Sequence, residues 1–423
     1  MNRRNFMSAA AGVALVTNAV ERVKAAAEAV AGRPAHEVAM DEDFWFEVRH
    51  AFSIDRNIIN LNNGSVAPAP KTVQNAVHDY LEIMNMQPSY YVDEMLLPGT
   101  ERVRQRLAAT FGCDPEEMAL MRNTTEAVET VQFGLDLKPG DEILTTSQDY
   151  PSMLTTWRQI EQRRGVVLKT FPFPVPPPST DDLVDRFERN ITPRTKLIMM
   201  CHVTYTTGQI FPVGKISRMA RARGIDTLVD GAHGFAHFPF KRDDLDCDYY
   251  GTSLHKWLSA PIGTGFLYVR RDKISKVWPL FGAPADSRDN IRKFEGTGTT
   301  PVSGRNAITE AVAFLDSIGL ERKAARLRYL RQRWAHRLAS NPRIKLLNND
   351  DPAQTCAIGA VSVEGIESGK LVDHLMAKYR IHVRPRYVPG EFNCLRVTPN
   401  VYTTLEEIDQ FADAMEVVAK KGV

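Results

Sequence analysis

The sequence predicts an α/β fold in which a mostly parallel sheet carries helices on both faces. From Met118 onward, short apolar runs alternate with amphipathic helical stretches, which is the pattern of repeated strand–helix units. The chain has 423 residues, more than one core comfortably fills. We therefore expect two domains, the larger of which contains the parallel sheet.

Seven short apolar runs are the predicted strands, and helices lie between most of them, for example over Asn123–Leu135 and Val213–Arg223. A run of four to eight apolar residues bounded by turn residues is typical of a buried strand. The predicted strands are Met118–Met121, Glu142–Thr145, Val166–Thr170, Lys196–Val203, Thr227–Asp230, Asp248–Gly251 and Gly265–Val269.

The regions on either side of the sheet suggest the domain organisation. Before it come helical patterns over Thr72–Met86 and Thr100–Phe111, with an aromatic loop at Pro88–Tyr91 between them. After it come helices over Ala307–Ile318 and Glu321–Leu338, followed by shorter α/β segments. We divide the chain into a signal peptide at 1–31, a segment at 32–70 that packs with the small domain, a large domain at 71–301 and a small C-terminal domain at 302–423.

Composition limits the possible partners. Charged residues make up 25% of the chain and the formal net charge is +2, so no basic field favours a nucleic acid. The five cysteines are scattered, without a C-x-x-C or zinc-ligand spacing. We expect neither a disulfide framework nor a bound metal.

The N-terminus has the features of an export signal. Arg3 and Arg4 precede Phe6, and the apolar, alanine-rich stretch Ser8–Val20 follows. This pattern is typical of a twin-arginine signal peptide, and an amphipathic helix is the alternative. The apolar run is shorter than the roughly 18 residues of a membrane span, so we expect no stable anchor. The sequence thus predicts export by the twin-arginine machinery to the periplasm.

Two motifs near the ends of predicted strands indicate the chemistry. Asp230 closes the apolar run Thr227–Val229, and Lys256 follows the strand that ends at Gly251. A buried carboxylate needs a cationic partner, and a lysine amine becomes nucleophilic when desolvation or nearby positive charge lowers its pKa. This is the layout of an enzyme that holds pyridoxal phosphate (PLP), with Lys256 binding the aldehyde and Asp230 facing the pyridinium nitrogen. Taken singly, Asp230 could be a helix cap and Lys256 a surface lysine.

Further residues are expected to contact the cofactor. The turn after Met121 is rich in hydroxyls and begins a helix, where free N–H groups and the helix dipole favour a phosphate. An ordinary capping box is the alternative for that turn. His233 is placed to donate to the phenolate oxygen of the cofactor, and a structural hydrogen bond is the alternative for this histidine. The predicted phosphate contacts are Thr124, Thr125, Ser253 and His255.

With these motifs the chain resembles the class V aminotransferase family, a branch of the fold-type-I PLP enzymes with an aspartate aminotransferase-like fold. The segments Asp230–His233 and Thr252–Pro261 are most similar to the isopenicillin N epimerase-like branch, mainly through Trp257 and the Ala-Pro pair that ends at Pro261. The resemblance implies a PLP cofactor, a seven-stranded sheet, a smaller C-terminal α/β domain and a homodimer with shared active sites.

The resemblance also implies roles for individual positions. Tyr150 stands where the family stacks an aromatic or histidine side chain on the cofactor ring. Gly298 and Thr299 lie in the loop that reaches the phosphate site of the neighbouring subunit. Tyr205 departs from the family, which often has asparagine there.

The substrate contacts follow from the C-terminal motif. Arg396, in Leu395–Thr404, matches the arginine that binds the substrate carboxylate, for which its planar fork is suited. A surface ion pair is the alternative for this arginine. We also expect Asn63 to contact the substrate. Arg384 and Arg386 are weaker candidates.

The absence of a cysteine before the final arginine motif narrows the choice of reaction. Cysteine desulfurases of this class carry a nucleophilic cysteine on a loop before the final arginine motif, and Arg384–Asn393 contains none. We predict an exported aminotransferase that acts on an amino acid or amino-acid-containing metabolite, such as a peptide siderophore, with Lys256 as the general base. An epimerase, with Tyr150 or His202 as the second acid, is the alternative. A PLP-fold binding protein without catalysis is an alternative of another class.

Overall fold

A computed structural model describes residues 20–423 of the chain. The twin-arginine motif lies outside the described residues. Residues 20–29 are helical, Val23 and Val30 are buried against the body of the protein, and Arg22 pairs with Glu47 at 2.7 Å. The end predicted for the signal, residue 31, therefore follows a packed helix. Over residues 20–423, no helix combines the length and apolarity required to cross a bilayer.

The described strands, in chain order, are β1 Ile59–Asn60, β2 Met118–Met121, β3 Glu142–Thr146, β4 Val167–Phe171, β5 Thr195–Cys201, β6 Asp226–Asp230, β7 Tyr249–Ser253, β8 Gly265–Val269, β9 Ile344–Leu346, β10 Gly359–Val363, β11 Ile381–His382, β12 Arg384–Val388 and β13 Phe392–Val397. Seven of the described strands, β2 to β8, lie close to the seven predicted runs, with ends shifted by at most two residues, and the other six were not predicted individually.

The predicted α/β fold and its mostly parallel sheet are confirmed. Within residues 20–423 seven strands form the large sheet in the order β2-β8-β7-β6-β5-β3-β4. The five strands from β7 to β4 run parallel, and β8 is antiparallel to both of its neighbours. Side chains alternate between two buried cores: Ile198 and Met200 face one, and Leu197 and Met199 face the other. Helices cover both faces, so the sheet is buried throughout.

The main helices follow the sequence pattern, with one correction. Pro88–Tyr91, expected to be a loop, is helical and continues through the π-turn Val92–Leu96 into the next helix. Proline is tolerated in the first turn of a helix, so Pro88 starts this helix rather than breaking it. The longer helices are Glu42–His50, Lys71–Met86, Leu97–Phe111, Thr124–Gly134, Pro151–Arg164, Thr180–Asn190, Val213–Arg221, Ile308–Ile318, Leu320–Leu338, Ser368–Tyr379 and Leu405–Lys421.

A second, smaller sheet lies in the C-terminal part of the chain. Its described strands are antiparallel in the order β12-β13-β10-β9, and one face packs on helices Leu320–Leu338 and Leu405–Lys421 in a separate apolar core. Strand β1 pairs in parallel with β11, with Ile59 opposite Ile381. This pairing brings the segment that follows β1 to the edge of the small sheet.

Candidate active site

The candidate site lies at the carboxyl ends of the parallel strands, where open α/β sheets place their ligands. Asp230 ends β6, Ser253 ends β7 and Cys201 ends β5, so the chain brings these side chains to one edge. A cavity of about 210 Å³ opens there. It is lined by Ser65, Asn123, Thr124, Thr125, Tyr150, Met153, Cys201, Val203, Tyr205, Asp230, Ala232, His233, Ser253, His255 and Lys256.

Lys256 lies in a tight loop directly after β7. The loop is closed by the Ala260 N–H, which donates to the Leu254 carbonyl at 3.0 Å. Burial lowers the pKa of Lys256 to about 8, and the charge of Arg396 acts in the same direction, whereas Asp230 opposes it. A substantial fraction of the amine is therefore neutral near physiological pH, which is the form that attacks an aldehyde.

Asp230 is a buried carboxylate without an ion pair in the part of the chain that the structure describes. The Ala232 N–H donates to it at 3.0 Å. Burial raises its pKa, while the Ala232 hydrogen bond and the charge of Lys256 lower it. Burying an anion is costly unless a cation compensates it. The protonated ring nitrogen of PLP is such a cation, and Asp230 faces the cavity that would hold it.

Two buried groups beside Asp230 were missed in the sequence. Ligand atoms of Asp149, Cys201 and Asp230 lie within 4.8 Å of one another. The Cys201 thiol donates to Asp149 at 3.3 Å, and the Tyr150 N–H donates to the same oxygen at 2.7 Å. Burial and the nearby Asp230 raise the pKa of Asp149 to about 7. Cys201 ends a strand and Asp149 follows one. Their position at the edge of the sheet is the sequence feature that could have identified them.

The turn predicted to bind the phosphate lies at the start of helix Thr124–Gly134. Asn123 caps helix Thr124–Gly134 by accepting from the Glu126 N–H at 2.9 Å. The Ser253 hydroxyl accepts from the Thr124 N–H at 2.9 Å and lies 2.8 Å from the Thr124 hydroxyl. Nδ1 of His255 is buried without a hydrogen-bond partner in residues 20–423. His255 lines the same cavity as the N-terminus of helix Thr124–Gly134, and that N-terminus fits an anion such as the PLP phosphate.

His233 is held by two aromatic neighbours. The indole N–H of Trp257 donates to Nδ1 of His233 at 3.3 Å, and Trp257 stacks on His237 with ring centres 3.8 Å apart. Nε2 of His237 accepts from the Ala357 N–H at 3.0 Å. Burial keeps the pKa of His233 well below its ordinary value, so the ring is neutral. Because Nδ1 accepts, the proton of His233 is on Nε2, and His233 lines the cavity.

Arg396 is buried and has no carboxylate within 4.0 Å among residues 20–423. It donates to the Tyr205 carbonyl at 3.0 Å, to Asn62 at 2.9 Å and to Ser65 at 2.8 Å. Its Nε is buried and unpartnered. A guanidinium held by neutral groups, with donors to spare, fits the carboxylate of a substrate.

Asn63 is not placed where the sequence predicted a substrate contact. Its amide N–H₂ donates to the carbonyls of Asn60 and Thr398, both at 3.0 Å, and its oxygen accepts from Tyr402. It therefore ties the entry segment to the small domain, and the neighbouring Asn62 contacts Arg396 instead. A Cβ on Gly64 would come within 3.0 Å of Cγ2 of Thr398, so glycine permits the close approach of this segment to the small domain.

Three other predicted site residues remain to be located in the structure: Tyr150, Gly298 and Thr299. Tyr150 lines the cavity and makes an edge-to-face contact with Tyr205, with ring centres 5.2 Å apart. Gly298 and Thr299 are exposed and do not line the cavity of their own chain. Their predicted role at the partner's phosphate site stays a prediction.

The fold and the site are those of a PLP-dependent enzyme, for which Lys256 is the predicted cofactor lysine. The sequence profile of the family "Aminotransferase class-V" matches residues 59–411, and the chain belongs to this family. It is 31% identical to the isopenicillin N epimerase of Streptomyces clavuligerus, over 88% of this chain and 98% of that protein.

Solved structures share the fold. A cysteine desulfurase from Thermococcus onnurineus superposes with a TM-score of 0.78 at 22% identity, covering 89% of this chain and 98% of that one. A variant of the enzyme C-DES with glycine covalently linked to its PLP cofactor superposes with a TM-score of 0.76 at 22% identity, covering 86% and 98%.

Proposed function

We propose that this enzyme is an aminotransferase acting on an amino acid or an amino-acid-containing metabolite. The observation that carries the proposal is the pair formed by Lys256, which lines the cavity, and Arg396, which donates to the cavity-lining residues Ser65 and Tyr205. Lys256 has a pKa lowered to about 8, and Arg396 is a buried cation without a carboxylate partner in the described chain. The first is suited to moving a proton at the α-carbon, and the second to holding the adjacent carboxylate.

The described residues divide the work as follows. Arg396, fixed by Asn62, Ser65 and Tyr205, orients the substrate carboxylate and thereby the α-carbon. Bound PLP supplies an electron-withdrawing ring that stabilises negative charge at that carbon. Lys256 accepts the proton from the α-carbon of the substrate and later donates a proton on the same face of the cofactor. Transamination requires one such base.

The titration states of three other groups that line the cavity favour Lys256 over them as the base. Burial holds the pKa of His233 well below its ordinary value, and it raises the pKa of Tyr205 to about 12 and that of Cys201 well above its ordinary value. None of these three exchanges a proton readily near neutral pH, whereas Lys256 does.

Epimerisation is the second candidate, favoured by the similarity to the Streptomyces clavuligerus enzyme. It requires an acid on the face opposite Lys256. His202 is unsuited because its ring is buried against Phe238 and Phe240 and lies outside the cavity lining, and burial lowers its pKa to about 3. Tyr150 lines the cavity and is the acid that this alternative requires.

Desulfuration is disfavoured despite the likeness in fold. The hairpin between β12 and β13 carries no cysteine, and Cys394 lies buried within β13. Burial raises the pKa of Cys394 to about 12, so its thiolate is scarce.

We further propose export to the periplasm, supported by the Arg3-Arg4 motif and the apolar stretch behind it. An exported enzyme of this type would modify a secreted amine, such as a peptide siderophore. Since Val23 and Val30 are buried, we expect the mature chain to retain the helix over residues 20–29. N-terminal sequencing of the periplasmic protein tests this; a mature chain that starts after residue 31 would contradict it.

The transaminase proposal is tested by a half-reaction. Purified holoenzyme is mixed with amino acids and amine-bearing peptides without an amino acceptor, and the absorbance of the cofactor is followed. We expect at least one amine to convert the cofactor to its amine form with release of the oxo product. Persistence of the aldehyde form with every amine would overturn the proposal.

A further inference from the structure

The hairpin of β12 and β13 places three arginines on one face. Arg384 is directly opposite Arg396, and Arg386 is opposite Cys394. Side chains two positions apart on a strand share a face, and so do directly opposite residues of paired strands. The three arginines and Cys394 therefore point to the same side of the small sheet. The opposite side, with Leu395 and Val397, packs into the helix-covered core. The arginine face is therefore directed away from that core, on the side of the candidate site.

These arginines have no acidic partner. Within residues 20–423 no carboxylate lies within 4.0 Å of the charged nitrogens of Arg384, Arg386 or Arg396. Glu391, in the turn of the same hairpin, instead accepts from the side chains of Ser147 and Gln148. Like charges on one face repel, and burial strengthens that repulsion. An anionic ligand would relieve it.

Arg386 is held in place although most of its hydrogen-bond donors have no partner in the described chain. Its guanidinium carbon lies 5.3 Å from the centre of the Tyr205 ring, a cation–π contact. It donates to the Pro385 carbonyl at 3.3 Å, and its Nε is buried without a partner in the described chain. A guanidinium carries five N–H groups, and the bond to Pro385 uses one of them. Four are therefore free for a ligand.

Tyr205 links this arginine to the substrate carboxylate site. Its ring supports Arg386, its backbone carbonyl accepts from Arg396, and its side chain lines the cavity. Arg386 and Arg396 therefore both contact Tyr205, the first through its ring and the second through its backbone carbonyl.

We propose that Arg386, stacked on Tyr205, binds a second carboxylate of the substrate, so that the enzyme acts on molecules with two acidic groups. The proposal rests on the proposed function, in which Arg396 binds the carboxylate next to the reacting carbon. Arg384, exposed at the outer end of the same face, adds to the positive field that attracts such substrates. The substrate class is an acidic amino acid or a peptide that carries one.

The test is a binding measurement that does not depend on turnover. Calorimetry on the holoenzyme compares succinate, glutarate and adipate with their half-amides, which have nearly the same shape but one carboxylate. We expect at least one diacid to bind about ten- to a hundredfold more tightly than its half-amide, the range for hydrogen bonds to a charged group. Arg386→Gln should abolish that preference, and Arg386→Lys, which keeps the charge without the planar fork, should retain part of it.

Matched controls separate the possible outcomes. Arg333→Gln removes an arginine that pairs with Asp409 on the helical side of the small domain and should leave the preference unchanged. The absorbance of lysine-bound cofactor reports whether each variant is folded and loaded. The proposal is overturned if no diacid exceeds its half-amide, or if Arg386→Gln keeps the full preference. An enzyme that transaminates monocarboxylic substrates but shows no diacid preference would refute this inference and leave the proposed function standing.

Discussion

The indole N–H of Trp257, the residue after Lys256, donates to Nδ1 of His233. This bond fixes the tautomer of His233, which lines the cavity, with its proton on Nε2. Trp257 is itself held by the stacked ring of His237 and by the buried Lys323, which donates to the Trp257 carbonyl. Trp257 therefore orients His233, a predicted cofactor contact, and also holds the loop that carries Lys256.

Trp257→Phe tests this relationship. The variant keeps an aromatic ring but loses the N–H, so His233 is no longer held in one tautomer. We expect kcat to fall about fivefold, the value of one neutral hydrogen bond, with little change in KM. Trp157→Phe is the matched control, because Trp157 is equally buried but donates to Met199 away from the cavity. Equal effects from both substitutions would point to a general loss of packing.

The amine of Lys256 should control the pH dependence of cofactor binding. The rate at which apoprotein takes up PLP should rise with pH and level off above about 8, because the neutral amine attacks the aldehyde. Arg396→Gln removes a positive charge and should move the midpoint upward. Asp230→Asn removes a negative charge and should move it downward. Stopped-flow absorbance measures all three, and midpoints that shift the same way in both variants would contradict the assigned electrostatics.

Asp149 should make the apoprotein less stable as pH rises. Its pKa is raised from 3.8 to about 7 in the folded chain, so the protonated form is favoured there. The stability this provides is complete below the ordinary pKa and is lost as pH rises through about 7. Between about pH 4 and pH 8, wild type should lose up to about 4 kcal/mol relative to Asp149→Asn in urea unfolding. A difference between the two proteins that does not change with pH would refute this assignment.

Arg396 should determine selectivity for substrates with an α-carboxylate. Arg396→Gln is expected to lower kcat/KM for amino acids about a hundredfold, since a buried charged hydrogen bond is lost. Arg396→Lys should recover little, because it lacks the fork. The same amines without the carboxylate are the control, and their rates should be similar in all three proteins. A parallel loss for both substrate sets would indicate damage to the fold.

Much of the site could be predicted because its residues follow strands in order. Asp230, Ser253 and Thr124 stand at strand ends or strand–helix turns, and parallel strands bring such positions to one edge. The long-range contacts could not be predicted. The pairing of β1 with β11, which brings Asn62 to Arg396, depends on a strand of two residues with no periodic pattern. The Asp149–Cys201 contact joins residues of two different strand ends, and its cause is burial, which a local pattern does not reveal.

The central claim, that Lys256 and Arg396 perform transamination, is tested most directly by product stoichiometry in a single turnover. Holoenzyme in excess is mixed with an α-deuterated L-amino acid in the absence of an amino acceptor, and the oxo acid and both enantiomers are quantified. The account predicts up to one oxo acid per substrate molecule consumed and no D-enantiomer. Accumulation of the D-enantiomer with loss of deuterium, without oxo acid, would contradict it and establish the epimerase alternative.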